Sequence, residues 1–145
     1  MNYFHTQYFP TIMNKKIELD CGVIWVQDKV LVNEMNEGAL LDVETNRRIL
    51  QIGCESFGKE IFGYISNRIN SYAVNPMVYR ESAEHPQLKA IAVVSQNPMV
   101  RESARLEQQF YTNKNSFQIF SSLEEAQLWM KEVLSSYSKE NSFSG

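Results

Sequence analysis

Cysteine is scarce in this 145-residue chain, with only Cys21 and Cys54 present. Two thiols are too few for a disulfide scaffold, and a reduced pair fits a cytoplasmic protein. Histidine is equally sparse, as His5 and His85. A metal site wants several His, Cys or Asp side chains in close array. Nothing in the sequence brings these four together, so no metal is expected. Glycine occurs six times, as Gly22, Gly38, Gly53, Gly58, Gly63 and Gly145. None falls in segments 67–76 or 95–98, where strand gives way to helix. Dinucleotide and P-loop sites need clustered glycines at such places, so no nucleotide cofactor is expected. The Gly-x-Ser-x-Gly elbow of serine hydrolases is also missing. Basic excess is absent: the net charge is −3 and the isoelectric point about 5.4. That gives no footprint for nucleic acid and no polybasic membrane patch. No run approaches the roughly 20 apolar residues of a membrane span, so no integral membrane segment is expected. Residues 1–10 carry aromatics without a basic region ahead of an apolar core, which is not the pattern of a signal peptide.

What the chain does have is a grammar used twice. Asn75-Pro76-Met77-Val78 and Asn97-Pro98-Met99-Val100 each follow an apolar run. Asn suits an N-cap and Pro the first helical position, so both copies predict helix starts. Each leads into Arg-Glu-Ser-Ala, at Arg80–Ala83 and Arg101–Ala104, but Tyr79 offsets the two registers. Internal duplication and repeated use of good caps both fit.

With 43% hydrophobic and 12% aromatic residues, the chain suits one folded domain. Residues 1–14 predict an irregular aromatic arm, 15–134 the domain, and 135–145 a flexible polar tail. Ile17, Leu19, Val23 and Trp25 flank Cys21-Gly22 and predict a β-hairpin, which Val30–Val32 extends or follows. The polar stretch 33–41 has no legible period. Asp42 caps a first helix that carries Val43, Ile49, Leu50, Ile52 and Phe57 at helical spacing, and Gly58 stops it. A strand over 61–66, a loop over 67–74 and a helix from Pro76 to about Ala83 follow, ending at His85-Pro86. Ala90–Ser95 reads as a strand covered on both faces. The helix from Pro98 to about Tyr111 puts Met99, Leu106 and Phe110 on one stripe with Ala104 beside it, and that stripe is expected to face the core. Phe117–Phe120 is a strand. Ser122-x-x-Glu125 opens a last helix with Leu123, Ala126, Met130 and Val133 inward, widened by Trp129 and Leu134. The expected fold is a single α/β domain: a hairpin, then α-β-α-β-α-β-α, on a mixed sheet of four to five strands.

That order resembles the STAS superfamily, the SpoIIAA-like fold of anti-sigma-factor antagonists. Small bacterial STAS/SEC14-like proteins are the nearer likeness. It rests on Ala90–Ser95, a polar turn and helix, and then Phe117-Gln118-Ile119-Phe120-Ser121-Ser122-Leu123-Glu124-Glu125-Ala126-Gln127-Leu128-Trp129. It covers about residues 15–134. The resemblance implies a non-enzymatic regulatory or protein-binding module. A small apolar ligand or lipid carrier of SEC14-like type is one alternative, and an enzyme of unrecognised class another. In the antagonists, a helix opening carries a serine that a kinase phosphorylates. Val74-Asn75-Pro76 stands at that place here, with no hydroxyl, so the phospho-switch is not expected.

In α/β folds, loops after strands gather along one edge and carry ligand sites. The candidate binding rim is therefore Arg68, Asn70, Tyr72, Asn75, Ser95, Gln96 and Asn97. Of these, Arg68 and Tyr72 are expected to reach furthest toward a partner, although an ion pair and a core edge are the plain readings of the same residues. Glu84, Glu102 and Glu107 read as solvated helix faces. Tyr3, Phe4, Tyr8 and Phe9, with Tyr111 and Phe117, are more aromatic surface than a monomer needs. They predict either cover for a sheet edge or a homodimer contact.

Overall fold

The computed structural model describes residues 15–144, with side chains except those of Lys114 and 138–144. The aromatic arm expected over 1–14 lies outside the described residues. The first three strands are β1 (Lys15–Leu19), β2 (Gly22–Gln27) and β3 (Val30–Met35), an antiparallel meander. Side chains alternate across it as period two requires. Ile24, Val26, Leu31 and Met35 join one core, while Trp25, Val30 and Val32 join the other. Gly22 stands where the backbones crowd: a Cβ there would meet Glu34 O at 2.5 Å and Met35 Cα at 2.7 Å. Only glycine fits that pairing.

The rest of the main sheet is parallel. Strands β5 (Phe62–Asn67), β7 (Leu88–Val94) and β8 (Phe117–Phe120) add to β3 in the order β1-β2-β3-β5-β7-β8. The sheet thus has six strands rather than four or five, because Val30–Met35 is a full strand of its own. Two further strands, β4 (Leu40–Leu41) and β6 (Ala73–Val74), pair in parallel outside the main sheet. They lie within the stretch that had no legible period and within the segment expected to be loop. Two-residue strands are too short to show a period.

Among the described residues, four helices cover the sheet: α1 (Val43–Phe57), α2 (Met77–Glu84), α3 (Pro98–Gln108) and α4 (Leu123–Ser144). Asp42 caps α1, its Oδ1 accepting the Thr45 N–H at 2.8 Å. That bond holds the Asp42 carboxyl below the usual carboxylate range. Gly58 ends α1 with φ of 64°, the left-handed region that favours glycine. Asn97 caps α3, its Oδ1 accepting the Met99 N–H at 2.9 Å. Asn75 Oδ1 likewise accepts the Met77 N–H at 3.1 Å, although Pro76 holds the formal cap position of α2. The repeated Asn-Pro thus performs one local task twice. Asn97→Ala is expected to cost about 0.5–2 kcal/mol in urea melts, with Asn75→Ala at the lower end of that range. Ser122 Oγ accepts the Glu125 N–H at 3.2 Å, giving α4 its predicted opening.

Helices α1, α2 and α3 lie on one face, where Ile49, Leu50, Val78, Tyr79 and Ala104 share a core with Phe62, Ile91 and Phe117. Among the described residues the opposite face packs on α4, through Ala126, Met130 and Leu134 against Val32, Ile65, Ala90 and Ala92. The connection leaving β7 therefore turns to one face and the connection leaving β8 to the other. Such a parting opens a crevice at the carboxyl ends of the strands.

Two expectations about packing are corrected. The stripe Met99–Leu106–Phe110 does not face the core: Met99 is 78% and Leu106 69% exposed, and Phe110 is half-buried. The inward face of α3 is Val100, Ala104, Glu107 and Gln108, with Ala104 alone fully buried. Its small side chain lets the helix sit close to the sheet, and polar partners do the rest. Tyr111 and Phe117 are buried, not surface aromatics. Phe117 packs between Tyr79 and Tyr111, with ring centroids at 5.2 and 5.7 Å, and burial pushes the Tyr111 phenol up to about 12. Helix α4 continues past Leu134 to Ser144 through the segment expected to form a tail.

Candidate functional site

A groove of about 450 Å³ occupies the crevice at the carboxyl ends of β5, β7 and β8. Asn67, Arg68 and Ile69 form one wall, Ser95, Gln96 and Asn97 the floor, and Ser121, Ser122 and Leu123 the other wall. The amino ends of α3 and α4 open beside it, so backbone N–H groups gather there. Ser95 Oγ accepts the Asn97 N–H at 3.1 Å, and Arg101 Nη1 donates to the Ser95 carbonyl at 2.7 Å. These bonds fix the β7–α3 turn without glycine. Glu34 Oε2 accepts from Asn67 Nδ2 at 2.9 Å and steadies the first wall. Gln96 and Ser121 are exposed at the groove mouth.

Of the seven rim residues expected, Arg68, Ser95, Gln96 and Asn97 line this groove. Asn70, Tyr72 and Asn75 do not. Asn70 Nδ2 donates to the Met35 carbonyl at 3.0 Å, tying the loop after β5 to the end of β3. The Tyr72 hydroxyl bonds Ser66 Oγ, and its ring lies 5.4 Å from the Arg68 guanidinium. Asn75 serves α2, as described.

Arg68 does not reach outward. It is 8% exposed, and its guanidinium grips Glu107 with two bonds, Nη1 to Oε2 at 3.0 Å and Nη2 to Oε1 at 2.6 Å. Nε donates to Ser66 Oγ at 3.1 Å and Nη2 also to the Tyr79 hydroxyl at 3.0 Å. The Tyr79 hydroxyl in turn donates to Glu107 Oε1 at 2.6 Å. Burial works against the Arg68 charge, but Tyr79 and Glu107 more than offset it, so its pKa stands well above the ordinary value. Burial likewise holds the Tyr79 and Tyr64 phenols neutral, far above the usual range. This network latches α3 and α2 to the end of β5. Glu107, which reads as a solvated helix face in sequence, is its carboxylate. Nothing local marks it, because its partner lies 39 residues away.

A second depression, about 850 Å³, lies between α1 and α2 and is lined by Arg47, Leu50, Gln51, Cys54, Glu55, Glu81, Glu84 and His85. Here the fold pairs the two residue types that the sequence left unconnected: Cys54 Sγ lies 3.5 Å from His85 Nε2. The hydrogen bonds decide what the pair can do. The Gln87 N–H donates to His85 Nδ1 at 3.1 Å, so in the neutral ring the proton sits on Nε2 and points at sulfur. Gln87 Nε2 donates to the Gly58 and Glu60 carbonyls, leaving Oε1 to accept the Cys54 thiol at 3.4 Å. A His nitrogen already protonated neither takes the thiol proton nor binds a metal. Among the described residues, no group of three or more His, Cys, Asp and Glu could hold a metal ion.

Burial lowers the His85 pKa. The unfolded chain then binds this proton more tightly. Stability is full above the unfolded value of about 6.5 and falls as pH drops through it, levelling below the lowered folded value. The expected result is a urea midpoint that decreases between neutral pH and about pH 5, with a smaller decrease in His85→Gln. Equal pH dependence in both proteins would remove His85 as the cause.

No helix among the described residues is long and apolar enough to cross a membrane. Compared with protein-family models, curated proteins and solved structures, the chain matches none.

Proposed function

We propose that this chain is a STAS-like regulatory module that binds a protein partner through the groove at the carboxyl ends of β5, β7 and β8, and that it works without enzymatic chemistry. The observation that carries the reading is the groove's lining. Its walls offer amide and hydroxyl groups from Asn67, Ser95, Gln96, Asn97, Ser121 and Ser122, next to two helix amino ends. Such a lining suits the polar side chains or backbone carbonyls of a docked protein segment. A carrier of apolar ligands calls for an apolar cleft. The depression between α1 and α2 is charged instead, with Arg47, Glu55, Glu81 and Glu84 around it. Exposed Ile69 stands on the groove's first wall, giving the polar surface an apolar contact at its border. Regulation in this reading does not use a phosphorylated serine at the opening of α2, where Asn75 and Pro76 stand.

The test is comparative affinity capture from the source cell with the wild-type chain and with Gln96→Arg and Ser121→Arg. Both positions are exposed, so both variants should fold. The reading expects a protein retained by the wild type and by Glu55→Arg, at the far depression, but lost from the two groove variants. Equal retention by all four proteins would refute the groove as the binding face.

A further inference from the structure

The buried hydrogen-bonding groups at the carboxyl ends of β3 and β5 do not balance among themselves. We propose that one internal water molecule binds there as a fixed part of the fold, held by the Asn33 amide and by the hydroxyls of Tyr64 and of the Ser66–Tyr72 pair. Asn33 is 1% exposed, and its Oδ1 accepts from no protein group among the described residues. A buried acceptor left unmatched is costly, and native proteins pair nearly all of them with protein or with ordered water. Around Asn33 the surplus is of donors. The Tyr64 hydroxyl accepts from Asn33 Nδ2 at 2.7 Å, and no bond among the described residues uses its own proton. Ser66 Oγ accepts from Arg68 Nε at 3.1 Å and shares one bond with the Tyr72 hydroxyl. Those two hydroxyls bring two protons to that one bond, so one proton remains whichever of them donates.

The sheet brings these groups together. Ser66 is the register partner of Asn33 across the parallel β3–β5 pair, so the two side chains stand on the same face, about 4.8 Å apart at the backbone. Tyr64 precedes Ser66 by two residues and shares that face. On the other side of Asn33 stands Ile24, which is bulky, whereas Ser66 leaves room for a small guest. Two hydroxyl protons and one amide oxygen are the set to be closed. A water closes it by accepting twice and donating to Oδ1, within the two to four bonds that internal waters make. It joins Asn33 to the Arg68–Glu107 network, so hydrogen bonds run from β3 across β5 to α3. None of the four water-binding residues lines the groove, so the site stands apart from the proposed function.

A high-resolution crystal structure of the full chain tests the proposal, with water–protein cross-relaxation in solution beside it. The crystal should show an isolated density peak about 2.6–3.0 Å from Asn33 Oδ1 and within the same reach of the Tyr64 hydroxyl oxygen. In solution, the Asn33 side-chain amide protons should give a cross-peak of the sign that marks a long-held water. Asn33→Leu removes the acceptor and fills the place, so its crystal should lack the peak while the sheet keeps its register. The wild-type measurements decide the matter even if that variant does not fold. The proposal is overturned by a wild-type crystal in which Oδ1 bonds directly to a protein hydroxyl. An amide turned over, with Nδ2 on a backbone carbonyl, would overturn it equally, as would an Asn33 amide with no density beside it.

Discussion

Arg68→Ala should be the most damaging exchange on the sheet edge, costing about 3–5 kcal/mol in denaturant melts. The cost comes less from the lost bonds than from what remains. Glu107 would stay nearly buried with no cation beside it, and the Tyr79 hydroxyl would face it alone. A domain of this size is typically stable by only about 5–15 kcal/mol, so a large share of its stability is at stake. The pair itself is not expected to be strongly stabilising, because burying two charges consumes most of their attraction. Replacing both, as Arg68→Met with Glu107→Leu, should therefore recover most of what Arg68→Ala loses. A cycle that includes both single variants measures the coupling directly. A loss below about 1 kcal/mol for Arg68→Ala would mean that the network does not hold α3 as described. Arg68 and Tyr72 are accordingly framework, and removing them to test partner binding would report on folding instead.

Met130→Ala should cost about 2–5 kcal/mol, because among the described residues α4 is the only helix on its face of the sheet and Met130 is its fully buried large side chain. The site carries a second signature. Gly63 lies directly beneath, and a Cβ at that position would fall on the Met130 sulfur. Gly63→Ala alone should destabilise by forcing the thioether aside. In the Met130→Ala background the added methyl finds room, so the double variant should be more stable than the sum of the singles. Strict additivity would place Met130 elsewhere.

The parts of the fold that were legible in sequence are those written locally. Asp42, Asn97, Ser122 and Gly58 each act on backbone groups within four residues, and each takes its expected role. The runs 61–66, 90–95 and 117–120 are long enough for their apolar character to show, and all three became strands within two residues of the expected ends. The illegible parts depend on distant partners. Strands β4 and β6 pair through Ala73 N–H to Ala39 O and Asn75 N–H to Leu41 O, between segments about 30 residues apart that Gly38 N–H to Ser71 O and Ser71 N–H to Glu37 also join. The two faces of α3 offered a choice that local pattern decides wrongly. The stripe of Met99 and Leu106 is the more apolar, yet the other face wins because Glu107 meets Arg68 and because Ala104 fits close to the sheet. In the same way Arg68 reads as a loop cation until Glu107, Tyr79 and Ser66 enclose it. The edge that carries the candidate site was legible from strand–helix order, whereas the direction of its side chains was not.

The central claim is that the working face is the groove between the ends of β5, β7 and β8. Its most direct test is site-specific photocrosslinking in the source cell, with a photoreactive amino acid placed at Gln96 in one protein and at Glu55 in another. The account predicts one discrete crosslinked protein from Gln96 and none from Glu55. A partner captured from Glu55 but not from Gln96 would contradict it and move the function to the depression between α1 and α2.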